Sequence, residues 1–211
     1  MSENIFTRKR FIVALIAPSG AGKTTVIKRL LEVDPSLSYS VSVTTRERRA
    51  NEVDGRDYFF LSESEFRKKL TGNKFAEWAE VHGAFYGTLR SQIEQKLAEN
   101  FHVLMDVDVQ GAKQLKINYP QGVYIFLIPP SMEELKRRLI ARGTEDEHSL
   151  EVRLKNAAKE ISSFPDFGYL VVTDYPEPAV EKILNIIRAE ELKMSRLSDP
   201  AALARFYLDK S

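Results

Sequence analysis

The chain has 211 residues, 43% hydrophobic and 29% charged, which fits one globular domain of about 211 residues carrying an inserted piece. Its 10 glycines and 9 prolines are dispersed and cysteine is absent, so collagen-like repeats, a disulfide framework, a thiolate metal site and a cysteine nucleophile are all excluded. Lys plus Arg number 31 against 30 Asp plus Glu, a net charge of +1, so no nucleic-acid or membrane partner is expected and any anion site must be local.

In chain order, Arg8, Lys9 and Arg10 precede the apolar run Phe11 to Ala17, a pattern open to two readings, a secretory leader or a buried strand. The run is far short of the ~20 residues of a membrane span and leads directly into a glycine-rich loop, so we read a strand in a soluble, cytoplasmic protein. Further short apolar runs at Val103 to Val107, Val123 to Ile128 and Tyr169 to Val172 are each followed by helical periodicity, as strands of a parallel sheet buried on both faces would be. Tyr39, Val41 and Val43 alternate with serines and predict a fifth strand. Helices are expected over Lys23 to Glu32, Leu89 to Asn100, Gln110 to Ile117, Ser131 to Arg142, Leu150 to Ile161 and Pro178 to Ser198, with a short last one over Ala201 to Leu208. The alternation predicts a doubly wound α/β sheet of about five parallel strands flanked by helices. It is broken at about 44–88, read as a small inserted subdomain between core segments 1–43 and 89–211, and at about 142–151, a charged connection suited to a lid.

Ala17-Pro18-Ser19-Gly20-Ala21-Gly22-Lys23-Thr24-Thr25 lies between a predicted strand and a predicted helix, the setting a Walker A phosphate loop requires. Glycines let backbone N–H groups turn toward phosphate oxygens, the helix N-terminus adds partial positive charge, Lys23 reaches the β- and γ-phosphates and the Thr24 hydroxyl helps hold Mg²⁺. The generic pattern opens with Gly where this chain has Ala17, so the loop must enter without a positive φ.

Beyond the loop, Val41-Ser-Val-Thr-Thr-Arg-Glu-Arg-Arg49, Glu52-Val-Asp-Gly-Arg-Asp-Tyr-Phe-Phe60, Glu77-Trp-Ala-Glu80, Tyr86-Gly-Thr88, Asp106-Val-Asp-Val-Gln-Gly111 and the stretch from Pro129 to Thr144 together resemble guanylate kinases. The resemblance runs from about Phe11 to the end of the chain, and several motifs occur in the family's order and spacing. The entry through Ala-Pro-Ser-Gly and the tail from Arg188 to Arg196 look like bacterial members. The fold so implied is that of a P-loop kinase with a GMP-binding insertion. The implied reaction is Mg²⁺-assisted transfer of the γ-phosphoryl of ATP to GMP, and to dGMP.

By this resemblance Arg46 and Arg49 grip the acceptor's phosphate with Tyr58 and Tyr86, where guanidinium forks suit phosphate oxygens. Taken alone, Arg-Glu-Arg-Arg reads more often as a solvated surface turn, and the family match reverses that weighting. Glu77, Ser42, Thr88 and Asp108 are assigned to guanine, whose N1 and N2 donors suit an ionised carboxylate and whose O6 suits hydroxyls. Without the family pattern Glu77 would read as a solvent-facing neighbour of a core Trp78. Asp106 ends an apolar run where Walker B aspartates sit and is assigned with Thr24 to Mg²⁺. Arg138 and Arg142, four apart on one helix face, and Arg153 on the next helix are expected to clamp the transferring phosphate with Lys23. Residues 131–155 also hold six basic and six acidic side chains, the composition of a salt-bridged surface pair. Thr173-Asp174 stands where the family usually has Asn-Asp. His82, His102 and His148 have no ligand-like spacing, and the tail helix is open to reading as a contact between copies or as a docked end. Two rivals stay open, a related kinase for a ribosyl phosphate and a non-catalytic guanylate kinase-like binding module.

Overall fold

The structure, a computed structural model, describes residues 6–81, 83–141 and 147–208. Five parallel strands form the central sheet: β1 (Ile12–Ile16), β2 (Leu37–Tyr39), β7 (His102–Val107), β8 (Val123–Ile128) and β9 (Tyr169–Val172), in the order β2-β7-β1-β8-β9. Every residue of β1 is buried, as expected of the central strand of a sheet covered on both faces. Helices α1 (Lys23–Val33) and α7 (Pro176–Glu191) cover one face, where Leu15, Leu30, Leu104, Leu127 and Ile183 pack together. Helices α3 (Arg90–Ala98) and α4 (Val109–Asn118) cover the other, against Ile16, Ile93, Met105, Leu115 and Phe126.

The chain leaves β1 for β2 on one side and returns through β7 to β8 on the other. This places a topological switch point at β1, and a crevice outside the carboxyl ends of the strands is where such sheets take ligands. Register carries the consequence: Leu15 pairs with Asp106 and Ile16 with Val107, so the loop leaving β1 begins beside the aspartate ending β7.

A second sheet spans 43–89: β3 (Val43–Thr44), β4 (Phe59–Phe60), β5 (Phe75–Val81) and β6 (Ala84–Leu89), ordered β4-β3-β6-β5. Phe66 of α2 (Glu63–Thr71) is buried between Phe75 and Phe85, with ring centroids at 4.3 and 5.3 Å, and closes this small core. Ser62 starts α2 with a capping box, its hydroxyl accepting from Glu65 N while the Glu65 carboxylate accepts from Ser62 N. The fifth strand of the main sheet is therefore Leu37–Tyr39 and not the alternating stretch from Tyr39 to Val43. The chain turns out of that sheet after Tyr39, and Val43 pairs instead with Phe59 and Gly87.

Helix α5 (Met132–Ala141) packs on α6 (Glu147–Ile161) through Leu135, Leu139, Leu154 and Ala157. Of the expected connection at 142–151, residues 142–146, Arg142 among them, lie outside the described residues, and 147–151 form the start of α6. The expected long C-terminal helix stops at Glu191, because extended backbone at Lys193 redirects the chain so that Arg196 can donate to the Gln121 carbonyl at 2.6 Å. The tail helix α8 (Pro200–Leu208) follows. At the far end of the sheet from the crevice, His102 is fully buried; its Nδ1 accepts from Phe11 N at 3.4 Å and its Nε2 lies 2.8 Å from Glu191, an arrangement suited to the neutral ring. Among the described residues no helix is long and apolar enough to cross a membrane.

Candidate active site

The phosphate loop is built from two left-handed glycines, Gly20 at φ 93° and Gly22 at φ 92°, and Ala17 enters it without a positive φ. Gly22 caps α1 with no side chain bonded to the helix start and no acidic residue in the first turn, which leaves the amide donors facing the crevice. The loop is anchored from behind by Thr173, whose buried hydroxyl donates to the Ala21 carbonyl at 2.7 Å. Lys23 bends toward the end of β7, with Nζ 2.5 Å from Asp106 Oδ1 and 3.0 Å from the Val107 carbonyl. Thr24 lines the same crevice, while Thr25 faces away from it, toward a second cavity.

Across from the loop stands the second sheet. A β-bulge between Phe75 and Glu77 breaks the alternation of β5, so Phe75, Ala76 and Glu77 are buried in succession. Phe75 goes into the small core, Ala76 into the main one, and Glu77 into the crevice. Glu77 is 7% exposed, accepts from the Thr88 hydroxyl at 2.7 Å and has Asp108 nearby. Burial, reinforced by the negative charge of Asp108, pushes its carboxyl up to about 7 despite the Thr88 bond. Asp108 caps α4, accepting from Gly111 N at 2.7 Å. Gly111 is bare where it faces Glu77: a Cβ there would stand 2.4 Å from Glu77 Oε2.

The two walls enclose a cleft of about 450 Å³ that brings together residues 17–24 with Ser42, Tyr58, Glu77, Tyr86, Asp106 and Asp108. Tyr58 and Tyr86 meet edge to face at 6.0 Å. Thr88 sits behind Glu77 as its cross-strand neighbour. Arg46 borders the group without lining it; both its terminal nitrogens are held by Glu52, at 2.7 and 3.1 Å, and its guanidinium lies 5.5 Å from the Tyr58 ring centre. That pairing draws the Glu52 carboxyl down to about 2. Arg49 is exposed on the same turn, where its backbone N–H also bonds Glu52.

The cleft thus sets the backbone and Lys23 of the phosphate loop on one wall opposite a buried carboxylate on the other. The guanylate kinase sequence profile matches residues 8–190. The chain belongs to the guanylate kinase family. A guanylate kinase of Clostridium tetani is 45% identical over 197 residues, 93% of this chain and 94% of the relative. One from Thermotoga maritima is 45% identical over 188 residues, 89% and 91% of the two chains. The crystal structure of the guanylate kinase from Anaplasma phagocytophilum superposes with a TM-score of 0.81 at 34% identity, covering 97% of this chain and 98% of that one.

Within this guanylate kinase fold, the arginines expected at the transferring phosphate are not gathered in the cleft. Arg138 lines the second cavity, behind the loop, where its guanidinium bonds Glu134 at 2.6 Å and the carbonyls of Thr173 and Asp174 at 2.8 and 3.0 Å. In this conformation it ties α5 to the end of β9. Arg153 reaches the loop, donating to the Ser19 hydroxyl at 2.6 Å. Three cleft residues carry no motif and escape sequence reasoning, Tyr39 at the end of β2, Val81 at the end of β5 and Glu160 on α6. Gln114, outside the cleft, also carries no motif; it bonds both the N–H and the carbonyl of Trp78, so that α4 holds β5 in place.

Proposed function

We propose that the protein transfers the γ-phosphoryl group of ATP to GMP, giving ADP and GDP, and also accepts dGMP, as an enzyme of the cytoplasm. The observation that carries this reading is the burial of Glu77 opposite the phosphate loop. An ionised carboxylate there accepts from guanine N1–H and N2–H, whereas adenine lacks the N1 donor and would leave a buried charge unpaired. Thr88, bonded to Glu77, fixes the carboxylate plane, and Ser42 and Asp108 complete the polar rim.

A GMP phosphate oxygen attacks the γ-phosphorus in line as the bond to the β,γ-bridging oxygen breaks, and the electron pair leaves on ADP. Tyr58 and Tyr86, with Arg46 and Arg49, hold the attacking phosphate. Arg46 would exchange part of its bond to Glu52 for phosphate oxygens. Loop N–H groups and Lys23 hold the β- and γ-oxygens, and Arg153, with Arg138 and Arg142 on lid closure, meets the developing charge. Thr24 and Asp106 are a hydroxyl and a carboxylate on one wall, and this sparse set of hard oxygens fits Mg²⁺ carried in on phosphate. When bound, the ion neutralises charge on the β- and γ-oxygens.

The experiment is a coupled assay of ADP formation with MgATP against GMP, dGMP, AMP, CMP, UMP and a ribosyl phosphate. Activity confined to the guanine nucleotides supports the reading. Turnover of the sugar phosphate alone, or silence with every acceptor, refutes it.

A further inference from the structure

Helix α5 holds Arg138 beside the phosphate loop with a carboxylate of its own. Glu134 stands one turn before Arg138, and its Oε1 accepts from Arg138 Nε at 2.6 Å. Arg137 closes on the same carboxylate, Nε to Oε2 and Nη2 to Oε1, both at 2.7 Å. The Arg137 side chain is 71% exposed, against 22% for Glu134 and 19% for Arg138. The far end of the Arg138 guanidinium is held by other elements: Nη2 donates to the Thr173 and Asp174 carbonyls at 2.8 and 3.0 Å, and Nη1 to the Ala21 carbonyl at 3.4 Å. Nη1 is already at the loop, 3.8 Å from where a Cβ on Gly22 would stand. Nothing in the transfer chemistry above uses Glu134.

The two ends of this guanidinium differ in what a movement of the helix does to them. A bond between residues four apart on one helix travels with the helix, whereas the bonds to Ala21, Thr173 and Asp174 break when α5 moves relative to the loop and β9. Such a movement frees Nη1 and Nη2 and leaves Nε held. We propose that Glu134 is a positioning residue for Arg138: it keeps hold of Nε while the terminal nitrogens exchange main-chain carbonyls for the transferring phosphoryl group. This rests on the proposed phosphoryl transfer, with Arg138 acting in it, and adds what aims that arginine. Without the hold, the side chain spreads over its rotamers, and the entropy of gathering it is added to the barrier. Arg137 has the complementary part. Its two bonds offset the charge of Glu134, so the positive charge of Arg138 stays available to phosphate. The doubly paired carboxyl is drawn down to about 2, so the hold stays ionised throughout the neutral range.

A residue that aims Arg138 and a mere surface ion pair predict different kinetics. The variant E134A removes the acceptor of Arg138 Nε, and E134Q keeps an acceptor without the charge. Both leave the helix start intact, since Ser131 caps it through the Glu134 backbone N–H. Single-turnover transfer from MgATP to saturating GMP, with protein in excess of ATP, should be about tenfold slower in E134A and about threefold slower or less in E134Q, the scale of one hydrogen bond to a charged group. ATP and GMP affinities, each titrated alone by calorimetry, should stay within about threefold, and the E134A loss should be the same at pH 6.5 and pH 8.5. Because Glu134 acts through Arg138, adding E134A to R138M should slow transfer by less than about twofold beyond R138M alone. An E134A rate within twofold of wild type, E134Q as slow as E134A, or the full loss repeated on top of R138M overturns the proposal. Absence of GMP phosphorylation in the wild-type protein would count against the assigned reaction, and a wild-type transfer rate in E134A against Glu134.

Discussion

Glu77 makes GMP binding depend on pH in a way that can be worked out beforehand. In the empty cleft its carboxyl titrates at about 7, chiefly because it is buried. Guanine's donor edge requires the ionised form, which at that value is about one part in eleven at pH 6 and ten in eleven at pH 8. GMP affinity should therefore rise roughly tenfold over these two units on account of Glu77 alone. The nucleotide's own phosphate, with a second ionisation near pH 6, adds about twofold if the dianion binds. Wild-type affinity should thus change by about twentyfold and that of Glu77→Gln by about twofold, both read by titration calorimetry. At pH 8 the substitution should also weaken GMP by about 10- to 100-fold, the worth of a hydrogen bond to a charged group, and leave ATP unaffected. Equal pH profiles for the two proteins, or equal losses for GMP and ATP, would refute the reasoning.

The same group sets a stability slope. Its folded value lies above the unfolded one, so the folded state holds the extra proton between about 4.5 and 7 and stability falls as pH rises through that window. The total is on the order of 3 kcal/mol for a shift of this size. Glu77→Gln should remove that decline in chemical denaturation, so the weaker binder is the more stable protein at pH 8.

Gly111→Ala places a Cβ 2.4 Å from Glu77 Oε2, and should raise KM for GMP by tenfold or more with KM for ATP within twofold; steady-state kinetics decide. Lys23→Ala should depress turnover by orders of magnitude while GMP binding by calorimetry stays within a few-fold, and a rate near wild type would remove the lysine from the transfer step. Thr173→Val deletes the bond to the Ala21 carbonyl and leaves a buried acceptor short of a donor; about 1–3 kcal/mol of stability should go, together with a rise in KM for ATP, read by thermal unfolding and kinetics. Burial lowers the His102 value in the folded state, so the unfolded chain binds the extra proton and stability is lost as pH falls below about 6.5. His102→Gln should flatten that acid limb without altering kcat, because the residue lies at the opposite end of the sheet from the cleft.

Strand β8 was legible to the residue, because a strand buried on both faces is written as an unbroken apolar run between polar turns; β9 was equally legible from its apolar run, although as the edge strand it leaves Leu170 and Val172 exposed. The strand–loop–helix around Lys23 was legible for a different reason, since a loop that turns amides toward phosphate needs glycines at fixed places. Of the second sheet only a short strand over Tyr58 to Leu61 was legible, which the structure has at Phe59–Phe60. Its hairpin carries a bulge at Glu77 that destroys the two-residue period, and burial of a carboxylate reads locally as exposure. Helix α2 left a signal that went unused, Ser62 followed three residues later by Glu65. Val43 alternated correctly but with the wrong partner, for alternation says which face a residue takes and not which sheet it joins. Arg138 shows the limit for side chains: residue type and helix face pointed to phosphate, while Glu134 and the carbonyls at the end of β9 hold it behind the loop in this conformation. Tyr39 and Glu160 reach the cleft only through tertiary packing.

The most direct measurement is a ³¹P magnetic resonance spectrum of the protein incubated with ATP, GMP and Mg²⁺, followed in time. The account predicts that the γ-signal of ATP declines as the β-signals of ADP and GDP rise together, with no inorganic phosphate. Inorganic phosphate in place of GDP, or an unchanged ATP spectrum, would contradict it.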